Sequence, residues 1–407
     1  MVAAGRAAEA GKACGARVLL LEKNERLGKK LLITGGGRCN VTNAEYDTRK
    51  LVAKYGDKGK FLYSVFAQFG VKETLEFFEQ RGMAVKVEAE QRVFPVSNSA
   101  QSVYDVLENY IKEGGVEVRV NAAVSGFKMN NGKIAGVHVG KEVFTAAAYI
   151  ITTGGKSRPE TGSTGDAYPW LTALGHNVSE SDPQLVPIKI KEDWVKEMQG
   201  LPLKDVRITV FDGGVRQFAD TGKILFTHFG LSGPLILNMS KDINELHKYG
   251  TASLSLDLFP SLNHQELDVK IQDVWKNEQN KKFKNSLSRL VPPKMAPVLV
   301  RLSGIEEDLF VNKVSREKRL ALGKLMKDMR MSVDGFLGNE KAIVTSGGVN
   351  LEEVDFKTMR SILQPNLYFA GDILDFERPS GGFSLQICWS TGKVAGECAV
   401  KAVDNSN

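Results

Sequence analysis

The residues best suited to chemistry lie in one run, which reads Thr34-Gly35-Gly36-Gly37-Arg38-Cys39-Asn40-Val41-Thr42-Asn43. Consecutive glycines let the backbone approach a bulky ligand and take up positive φ angles. Arg38 offers a planar fork of donors that suits phosphate. Upstream, Glu22 closes the apolar segment 18–21, and an acid at the tip of the second Rossmann strand binds the ribose hydroxyls of a dinucleotide. These residues predict a dinucleotide site.

A second constellation lies near the end of the chain. An apolar strand over 367–370 leads into Gly371 and Asp372, where an aspartate can accept from ribityl or ribose hydroxyls or serve as an ordinary β-turn residue. A glycine pair at 381–382 then feeds a helix, whose first N–H groups carry partial positive charge. Placed at the pyrimidine end of a flavin, that charge would stabilise the anionic reduced ring. The pattern therefore indicates a flavin rather than a nicotinamide alone.

The composition is ordinary except for glycine. The 407 residues suffice for two or three domains, with 42% hydrophobic residues, 25% charged residues and a net charge of +6. Residues 262–330 contain 15 Lys and Arg and nine Asp and Glu, so the net charge of this segment equals the net charge of the whole chain. The cluster indicates either a solvated helical face, which we favour, or an RNA-binding surface. The 40 glycines occur in doublets and triplets, as expected for several close approaches of backbone to ligand.

The cysteines and histidines give little further chemistry. The four cysteines show no CxxC spacing, which favours a reducing, cytoplasmic compartment and predicts no metal site. No run approaches the roughly 18 apolar residues of a membrane span.

Cys39 is either a redox thiol or, as we prefer, a packed side chain. His228 is a weak candidate for a general base, with a helix-entry role as the preferred alternative. Asp166 is either a helix N-cap or a residue of the cofactor cleft.

The pattern of apolar residues predicts a nucleotide-binding domain interrupted by an insert. A helix over 99–113 and short strands over 116–120, 126–129, 133–139 and 148–153 lead into Gly154-Gly155. We divide the chain into a first part of the FAD-binding domain (1–187), a β-rich substrate domain (188–261), a helical insert (262–331), a return of the β-rich domain (332–344) and the second part of the FAD-binding domain (345–407).

The start of the chain departs from a complete dinucleotide-binding unit. Residues 1–13 predict a helix packed by small side chains, followed at once by the strand that ends before Glu22. A strand and a GxGxxG turn should precede such a helix. We expect either that the chain was truncated or, as we favour, that its start was assigned at an internal methionine. The chain as given lacks the main pyrophosphate cradle.

Several motifs together carry a family resemblance. The chain resembles the bacterial three-domain flavoproteins known as NAD(P)/FAD-dependent or NAD(FAD)-utilising oxidoreductases, which include aminoacetone-oxidase-like and bile-acid-reductase-like members. The motifs that match in order are Glu22-Lys23-Asn24, Gly28-Lys29-Lys30, Thr34–Asn43, Phe94-Pro95-Val96-Ser97, Thr161-Gly162-Ser163-Thr164-Gly165-Asp166, Thr227–Pro234 and Gly371-Asp372.

The resemblance implies an α/β fold: a glutathione-reductase-type FAD-binding Rossmann domain built from both chain ends, here without its first strand and GxGxxG, with an inserted β-barrel-like domain and a small helical domain. It implies that Glu22 binds the adenosine ribose and that Val124 contacts adenine through its backbone. The other residues that it places around the FAD are Lys23, Lys30, Thr34, Gly35, Gly36, Gly37, Arg38, Cys39, Asn40, Thr153, Gly154, Gly155, Gly371, Asp372, Gly382, Phe383, Ser384, Leu385 and Gln386.

Two further departures from the family pattern concern single residues. Gln91 stands where relatives commonly have glycine before Arg92, which affects a turn. Phe383-Ser384 replaces the more usual Tyr-Asn beside the flavin, which affects a contact with substrate or ring.

We therefore expect an FAD-dependent oxidoreductase that transfers hydride between flavin N5 and a small organic substrate, by amine or aminoketone oxidation or by enone reduction. NAD(P)H is expected to act, if at all, as a transient reductant, because the chain has no second GxGxxG unit. The alternative is a non-catalytic flavin-binding or partner-recruiting protein, and a weaker third hypothesis is an RNA-modifying flavoprotein. No membrane partner is expected, nucleic acid is not favoured, and the sequence leaves the oligomeric state open.

Overall fold

The computed structural model describes residues 1–179, 183–337, 344–345 and 347–404. The chain divides into two units: residues 1–183 with 342–407 form the first, and residues 184–341 form the second. The predicted split of the second unit into 188–261, 262–331 and 332–344 stays a prediction, and part of its last segment falls outside the described residues.

The first unit is a mixed α/β structure. Its α-helices are Val2–Ala10, Thr48–Ala53, Tyr63–Gln68, Val71–Glu79, Ala100–Glu113, Ala167–Ala173 and Phe383–Asp404. Its strands are Leu19–Leu21, Thr42–Asn43, Val85–Val87, Arg92–Pro95, Glu117–Arg119, Val124–Asn130, Lys133–Val139, Glu142–Phe144, Tyr149–Ile151, Val178–Ser179, Val344–Thr345, Gly348–Val349, Val354–Asp355, Arg360–Ser361 and Leu367–Phe369, with Pro183–Gln184 at the boundary between the units.

Parallel pairing joins distant parts of this unit. Leu19–Leu21 pairs in parallel with Glu117–Arg119, and Leu367–Phe369 pairs in parallel with Tyr149–Ile151. Parallel neighbours need a crossover connection. The helices between residues 22 and 116 provide the first, and the second unit lies in the connection of the other. Glu22 follows the strand Leu19–Leu21, and Gly371 follows the strand Leu367–Phe369. Both residues therefore lie at strand ends, where ligands bind in open α/β sheets.

The helix of small residues at the start of the chain packs against the last helix. Gly396 lets the two backbones approach, because a Cβ there would clash with the carbonyl of Ala3 and lie 3.1 Å from the nitrogen of Ala7. The helix Ala100–Glu113 begins at Ser99, whose side chain accepts from the nitrogen of Gln101. Its buried face is the one predicted from helical spacing: Val103, Val106, Leu107, Tyr110 and Ile111.

The second unit contains a closed six-stranded barrel. The strands neighbour one another in the order Ile188–Ile190, Gly230–Ser232, Val215–Phe226, Pro202–Asp212, Ala252–Asp257 and Met329–Phe336, and the last pairs with the first. The helices of this unit are Asp193–Glu197, Pro234–Tyr249, His264–Lys276, Phe283–Ser286, Ala296–Ser303 and Arg316–Lys327. The barrel-like insert and its helical stretch were both expected from the sequence.

Apolar side chains fill the interior of the barrel. Along Pro202–Asp212 the residues alternate, so that Ile208 and Val210 point inward and are fully buried. Leu254, Leu256 and Met331 from neighbouring strands fill the same core. Side chains of the helical stretch, such as Leu267 and Ile271, belong to that continuous apolar cluster too. Among the described residues, no helix has the length and apolarity needed to cross a membrane.

Candidate functional site

The glycine run forms a tight, left-handed turn. Residues Leu31–Gly37 make a 3₁₀ segment interrupted at Thr34, which is extended, and at Gly35 and Gly36, which have φ of 56° and 68°. The three glycines differ in what they face. A Cβ at Gly35 would lie 2.9 Å from the nitrogen of Asn40, whereas at Gly36 and Gly37 it would meet no described atom within 4 Å. Gly35 therefore serves the turn itself, and the two glycines that follow leave open space at the surface.

The two ends of the chain meet directly behind this run. The Thr42 hydroxyl donates to the amide oxygen of Gln386 over 2.5 Å, and Trp389 Nε1 donates to the carbonyl of Val41 over 2.8 Å. Gly382, with φ of 102°, packs against the backbone of Thr42, where any Cβ would clash. The predicted junction between the glycine run and the start of the last helix is thus present.

Three predicted site residues direct their side chains into the protein. Cys39 is fully buried, and burial raises the pKa of its thiol to about 11, which favours the packing role over the redox role. Gln386 uses both amide atoms internally, since Nε2 donates to Thr74 and Ser390 at 2.9 Å while the oxygen accepts from Thr42. Phe383 is buried edge-on against Tyr55. The placement of Cys39, Phe383 and Gln386 beside a cofactor stays a prediction, and in this structure their side chains contact the protein.

Arg38 is also engaged elsewhere. Its guanidinium donates to Glu88 at 2.5 Å and to Asn98, and lies 4.1 Å above the ring of Phe94. Hydrogen bonds from Arg38 in turn lower the pKa of Glu88. The use of this fork for phosphate stays a prediction, and in this structure the guanidinium is paired with a carboxylate.

A loop over 157–166 is fastened to the segment that follows the first strand. Lys30 Nζ donates to the carbonyl and hydroxyl of Ser157, at 3.0 and 2.8 Å, and to the hydroxyl of Ser163 at 2.9 Å. Lys23 Nζ lies 2.5 Å from Asp166 and 2.6 Å from Thr164. These two lysines thus act within the protein, holding the loop in place.

Asp166 occupies the N-cap position of the helix Ala167–Ala173, but its side chain does not cap that helix. Burial raises the pKa of its carboxyl, and the hydrogen bonds from Lys23 and Thr164 outweigh this effect, so that the pKa lies below its usual value. The simple N-cap interpretation of this residue is wrong.

Asp372 forms the centre of a polar cluster at the end of the strand Leu367–Phe369. Its carboxylate lies 3.3 Å from Arg378 Nε and 3.3 Å from the Ser384 hydroxyl, and accepts from the Cys388 thiol at 3.7 Å. A Cβ built on Gly154 would contact both Asp372 and Ser163. The Gly154 turn, the fastened loop and Asp372 therefore adjoin, and the resemblance had placed Gly154 and Asp372 together at the cofactor.

The electrostatics of this cluster follow from burial. Burial lowers the pKa of Lys30, and the nearby Asp372 opposes that shift. Burial likewise raises the pKa of Cys388, which keeps this thiol neutral beside the carboxylate.

The remaining predicted residues lie in the same unit with less specific surroundings. Glu22 Oε1 accepts from the backbone and side-chain nitrogens of Asn24, at 2.8 and 2.7 Å. The Gly371 nitrogen donates to Thr391. The Thr34 hydroxyl donates to the carbonyl of Leu31, and Val124 begins its strand and pairs with Val139. Of the others, Thr153 is exposed, Gly155 is buried and Leu385 is half-buried.

The site fits a flavin dinucleotide on two observations. Gly36 and Gly37 present open backbone where side chains would stand. The side-chain oxygen of Asn40, three residues on, is buried and has no hydrogen-bond partner among the described residues. A buried acceptor of this kind is rare unless a ligand or water satisfies it.

Two residues of the site escaped the sequence analysis. Arg378, with its side chain 1% exposed, pairs with Asp372. Tyr168 is buried, and its hydroxyl has no partner among the described residues. The only sequence signal was position: Arg378 lies between Asp372 and the glycine pair, and Tyr168 follows the motif that ends at Asp166.

His228 and the basic segment belong to the second unit. His228 is exposed in the turn between Val215–Phe226 and Gly230–Ser232, edge-on to Phe229. The next helix begins only at Pro234, so the helix-entry role is wrong, and a role as base stays a prediction.

Lysines of the basic segment have carboxylate partners. Lys281 pairs with Glu278 at 2.7 Å, and Lys282 and Lys284 both pair with Asp308 at 2.9 Å. This pairing favours a solvated helical face over an RNA surface. Elsewhere, the described residues hold no group of three or more His, Cys, Asp or Glu side chains able to bind a metal.

Comparisons with solved structures agree with this fold. A 3-ketosteroid delta1-dehydrogenase from Sterolibacterium denitrificans matches 98% of this chain and 97% of its own, with a TM-score of 0.54 and 12% identity. A 3-ketosteroid-delta4-(5alpha)-dehydrogenase from Rhodococcus jostii RHA1 matches with a TM-score of 0.53 and 13% identity, over 98% of this chain and 94% of its own. These matches concern the fold.

Comparisons of sequence identify the family. Residues 1–398 match the family described as HI0933-like protein Rossmann domain. A 3-dehydro-bile acid delta(4,6)-reductase from Clostridium scindens is 29% identical over 95% of this chain and 93% of its own. A ribosomal RNA dihydrouridine synthase from Escherichia coli is 29% identical over 94% of this chain and 91% of its own. The family resemblance and the fold class are thereby confirmed: the chain belongs to the HI0933-like family of flavin-dependent oxidoreductases.

Proposed function

We propose that this protein uses FAD to reduce a carbon–carbon double bond conjugated with a carbonyl group in a small organic molecule. The observation that carries the proposal is the junction of the two chain ends, where open glycines at 36 and 37 adjoin a buried acceptor on Asn40 that lacks a partner among the described residues. That arrangement supports a bound dinucleotide, and the names of the relatives support the reaction.

The chain's own residues would hold the cofactor in two groups. Glu22 offers a carboxylate for the adenosine ribose, while the open backbone at Gly36 and Gly37 and the Asn40 amide would bind nearer the middle of the dinucleotide. Asp372 and the first turn of the helix Phe383–Asp404 would face the flavin, because that turn has free N–H groups. When bound, FAD supplies hydride transfer at N5 of its isoalloxazine.

The choice of double-bond reduction follows from the relatives. One is named a delta(4,6)-reductase of a 3-dehydro bile acid, and the other is named for dihydrouridine, the hydrogenated form of uridine. Both names describe hydrogen added to a double bond near a carbonyl group. Oxidation of amines or aminoketones has no such support and serves as the contrasting substrate class.

We propose a small molecule rather than RNA as the substrate. The lysines that suggested an RNA surface are held in ion pairs with Glu278 and Asp308, which reduces their field. Binding to ribosomal RNA fragments should therefore be weak at physiological salt, and reversing the charge of Lys281, Lys282 and Lys284 together should not change it. A tight, salt-sensitive affinity that this triple change weakens would favour RNA instead.

The reductant and the compartment are part of the same proposal. NAD(P)H is proposed to reduce the flavin transiently, without a nucleotide domain of its own. All four cysteines are free thiols, which supports a reducing, cytoplasmic compartment.

The test begins with flavin binding and then follows electrons. The purified chain is titrated with FAD, reduced anaerobically with NADH or NADPH, and mixed with conjugated enones or with aminoketones. We expect reoxidation of the flavin by enones. Reduction of the flavin by amines would instead support amine oxidation. A bound flavin that exchanges electrons with none of these reagents would support the non-catalytic alternative.

A matched pair of glycine variants tests the site itself. Gly36 and Gly132 have φ of 68° and 76°, and both would place a Cβ in open space. Gly36→Ala should weaken FAD binding about tenfold, the loss of one good contact, whereas Gly132→Ala, in a hairpin turn, should not change it. Equal FAD affinity in the two variants would remove the glycine run from the site.

A further inference from the structure

The acid at the end of the first strand is held by one neighbouring residue. Glu22 Oε1 accepts from the backbone nitrogen of Asn24 at 2.8 Å and from its side-chain Nδ2 at 2.7 Å. The second oxygen, Oε2, has no hydrogen-bond or ion-pair partner among the residues that the structure describes, and Glu22 is only half-buried. One oxygen of this carboxylate is therefore fixed, and the residue keeps surface that a ligand can reach.

The backbone around Glu22 and Asn24 is fixed by the neighbouring strand. The Glu22 nitrogen donates to the carbonyl of Arg119, and the Ala122 nitrogen donates to the carbonyl of Glu22, both at 2.9 Å. The Asn121 nitrogen donates to the carbonyl of Asn24, also at 2.9 Å. Pairing thus continues past the end of the strand, so both side chains extend from a backbone of defined position.

Asn24 also joins Glu22 to the fastened loop over 157–166. Its Nδ2 donates a second hydrogen bond, to the carbonyl of Thr161 at 3.0 Å, so both amide protons are used. Gly162, with φ of 99°, permits this approach, because a Cβ there would lie 2.6 Å from Asn24 Nδ2. The side-chain amide of Asn24 therefore lies between the acid and the loop and binds both.

The same loop continues to the other half of the candidate site. A Cβ on Gly154 would lie 3.3 Å from the Ser163 hydroxyl oxygen and 3.9 Å from the Cβ of Asp372. Ser163 is held in turn by Lys30 at 2.9 Å. Asn24 thus connects the acid proposed for the ribose with a loop that reaches the aspartate proposed for the flavin.

We infer that Asn24 is a positioning residue of the cofactor site: by binding Oε1 of Glu22 and the loop together, it directs Oε2 to a ribose hydroxyl in the adenosine half of FAD. The inference rests on the proposed function in taking FAD as the ligand. A carboxylate only accepts hydrogen bonds, and its two oxygens are equivalent until one is engaged. Two donors from one asparagine engage Oε1 before the ligand arrives, which reduces the entropy lost when FAD binds.

Ligands that differ by one hydroxyl distinguish positioning from a merely structural role. The natural chain should bind ADP about tenfold more tightly than 2′-deoxy-ADP or 3′-deoxy-ADP, whichever lacks the hydroxyl that Glu22 accepts. In Asn24→Ala this ratio should fall towards one and the FAD dissociation constant should rise about tenfold, while riboflavin binding stays unchanged. If Asn24 only supported the loop, ADP and its deoxy analogues would lose affinity by the same factor. Glu22→Ala is the reference for complete loss of the preference.

A second asparagine provides the matched control. Asn366 Nδ2 donates to the carbonyl of Ile134 at 2.8 Å, and this residue precedes the strand Leu367–Phe369, at the end away from the site. Asn366→Ala should lower the melting temperature by about 2–4 °C, as Asn24→Ala does, without changing the ADP ratio. Asn24→Ser offers one side-chain donor in place of two and should give an intermediate ratio, and it replaces the alanine variant if that variant does not fold.

The outcomes separate this inference from the proposed function. An unchanged ADP ratio in folded Asn24→Ala or Asn24→Ser overturns the inference alone, and so does a natural chain that binds FAD with no preference for either ribose hydroxyl. If the natural chain binds neither FAD nor ADP, the proposed function loses its cofactor, and the inference fails with it.

Discussion

The candidate site of the first unit and the barrel of the second unit are built on opposite principles. Around the site, glycines 36 and 37 face open space, and buried polar atoms of Asn40 and Tyr168 have no partner among the described residues. In the barrel, alternate residues such as Ile208, Val210 and Leu254 close a core that is fully buried. The first arrangement leaves open space and unsatisfied polar atoms, whereas the second is filled by its own side chains.

The difference shows how glycine and hydrophobic residues are used. In the barrel, period-two alternation is enough, since inward residues need only be apolar and of suitable size. In the site, neighbouring glycines have different tasks. Gly35 and Gly382 allow one backbone segment to pack closely against another, whereas Gly36 and Gly37 leave open space beside the backbone. Four changes would break or sharpen this contrast.

The largest effect is expected at Gly382. Gly382→Ala would place a Cβ against the backbone of Thr42, at a φ of 102° that side chains rarely adopt, and should lower the free energy of unfolding by about 4 kcal/mol. Urea unfolding measures this. Gly140→Ala, with φ of 58° but open space, is the control and should cost only about 1 kcal/mol. Equal costs would mean that the junction of the chain ends is loosely packed.

The barrel core should be nearly as sensitive, without an effect on the ligand. Leu254→Ala leaves a cavity in a fully buried position and should cost about 3 kcal/mol. Val215→Ala, at a side chain 64% exposed, should change stability by less than about 0.5 kcal/mol. The FAD affinity of folded Leu254→Ala should equal that of the natural chain; a loss would contradict the contrast between the two regions.

An intermediate effect is expected at alkaline pH. Burial raises the pKa of Cys39 to about 11 from 9.0, so its contribution to stability is complete below pH 9 and is lost as the pH rises through 11. Relative to Cys39→Ala, the natural chain should lose about 2–3 kcal/mol over this range. Urea unfolding from pH 8 to pH 11 gives the comparison. The exposed Cys14, changed to alanine, should give no such difference, and a flat profile for Cys39 would show that it is not packed as described.

The smallest effect concerns the turn that departs from the family pattern. Gln91 has φ of 56°, and its carbonyl still accepts from Ala44 at 2.7 Å, so the turn forms despite the missing glycine. Gln91→Gly should relieve left-handed strain and stabilise the protein by about 0.5 kcal/mol after the entropy of glycine is counted. Gln101→Gly, in the first turn of the helix Ala100–Glu113, should instead destabilise the protein, because glycine is a poor helix former. Thermal melting that moves in the same direction for both would reject this account.

Much of the fold and part of the site could be predicted from local pattern. The buried face of the helix Ala100–Glu113 followed from its spacing, and the β-rich and helical inserts followed from the change in texture after position 188. The barrel was implied by the family resemblance. Glu22 and Asp372 could be located because acids after buried strands lie at the sheet edge. Local pattern did not show how single side chains are paired: Arg38 is hydrogen-bonded to Glu88, and Gln386 is hydrogen-bonded within the core.

The sequence by itself determined the family and the buried face of the helix Ala100–Glu113, because motif order and periodicity are local properties. Only the tertiary structure decided which donors remain free for a ligand. The Arg38 guanidinium carries the same hydrogen-bond donors wherever it lies. Whether those donors are already bound depends on Glu88, which is fifty positions away in the chain. The same holds for Asn24, whose side-chain amide uses both protons only because folding brings the carbonyl of Thr161 to it.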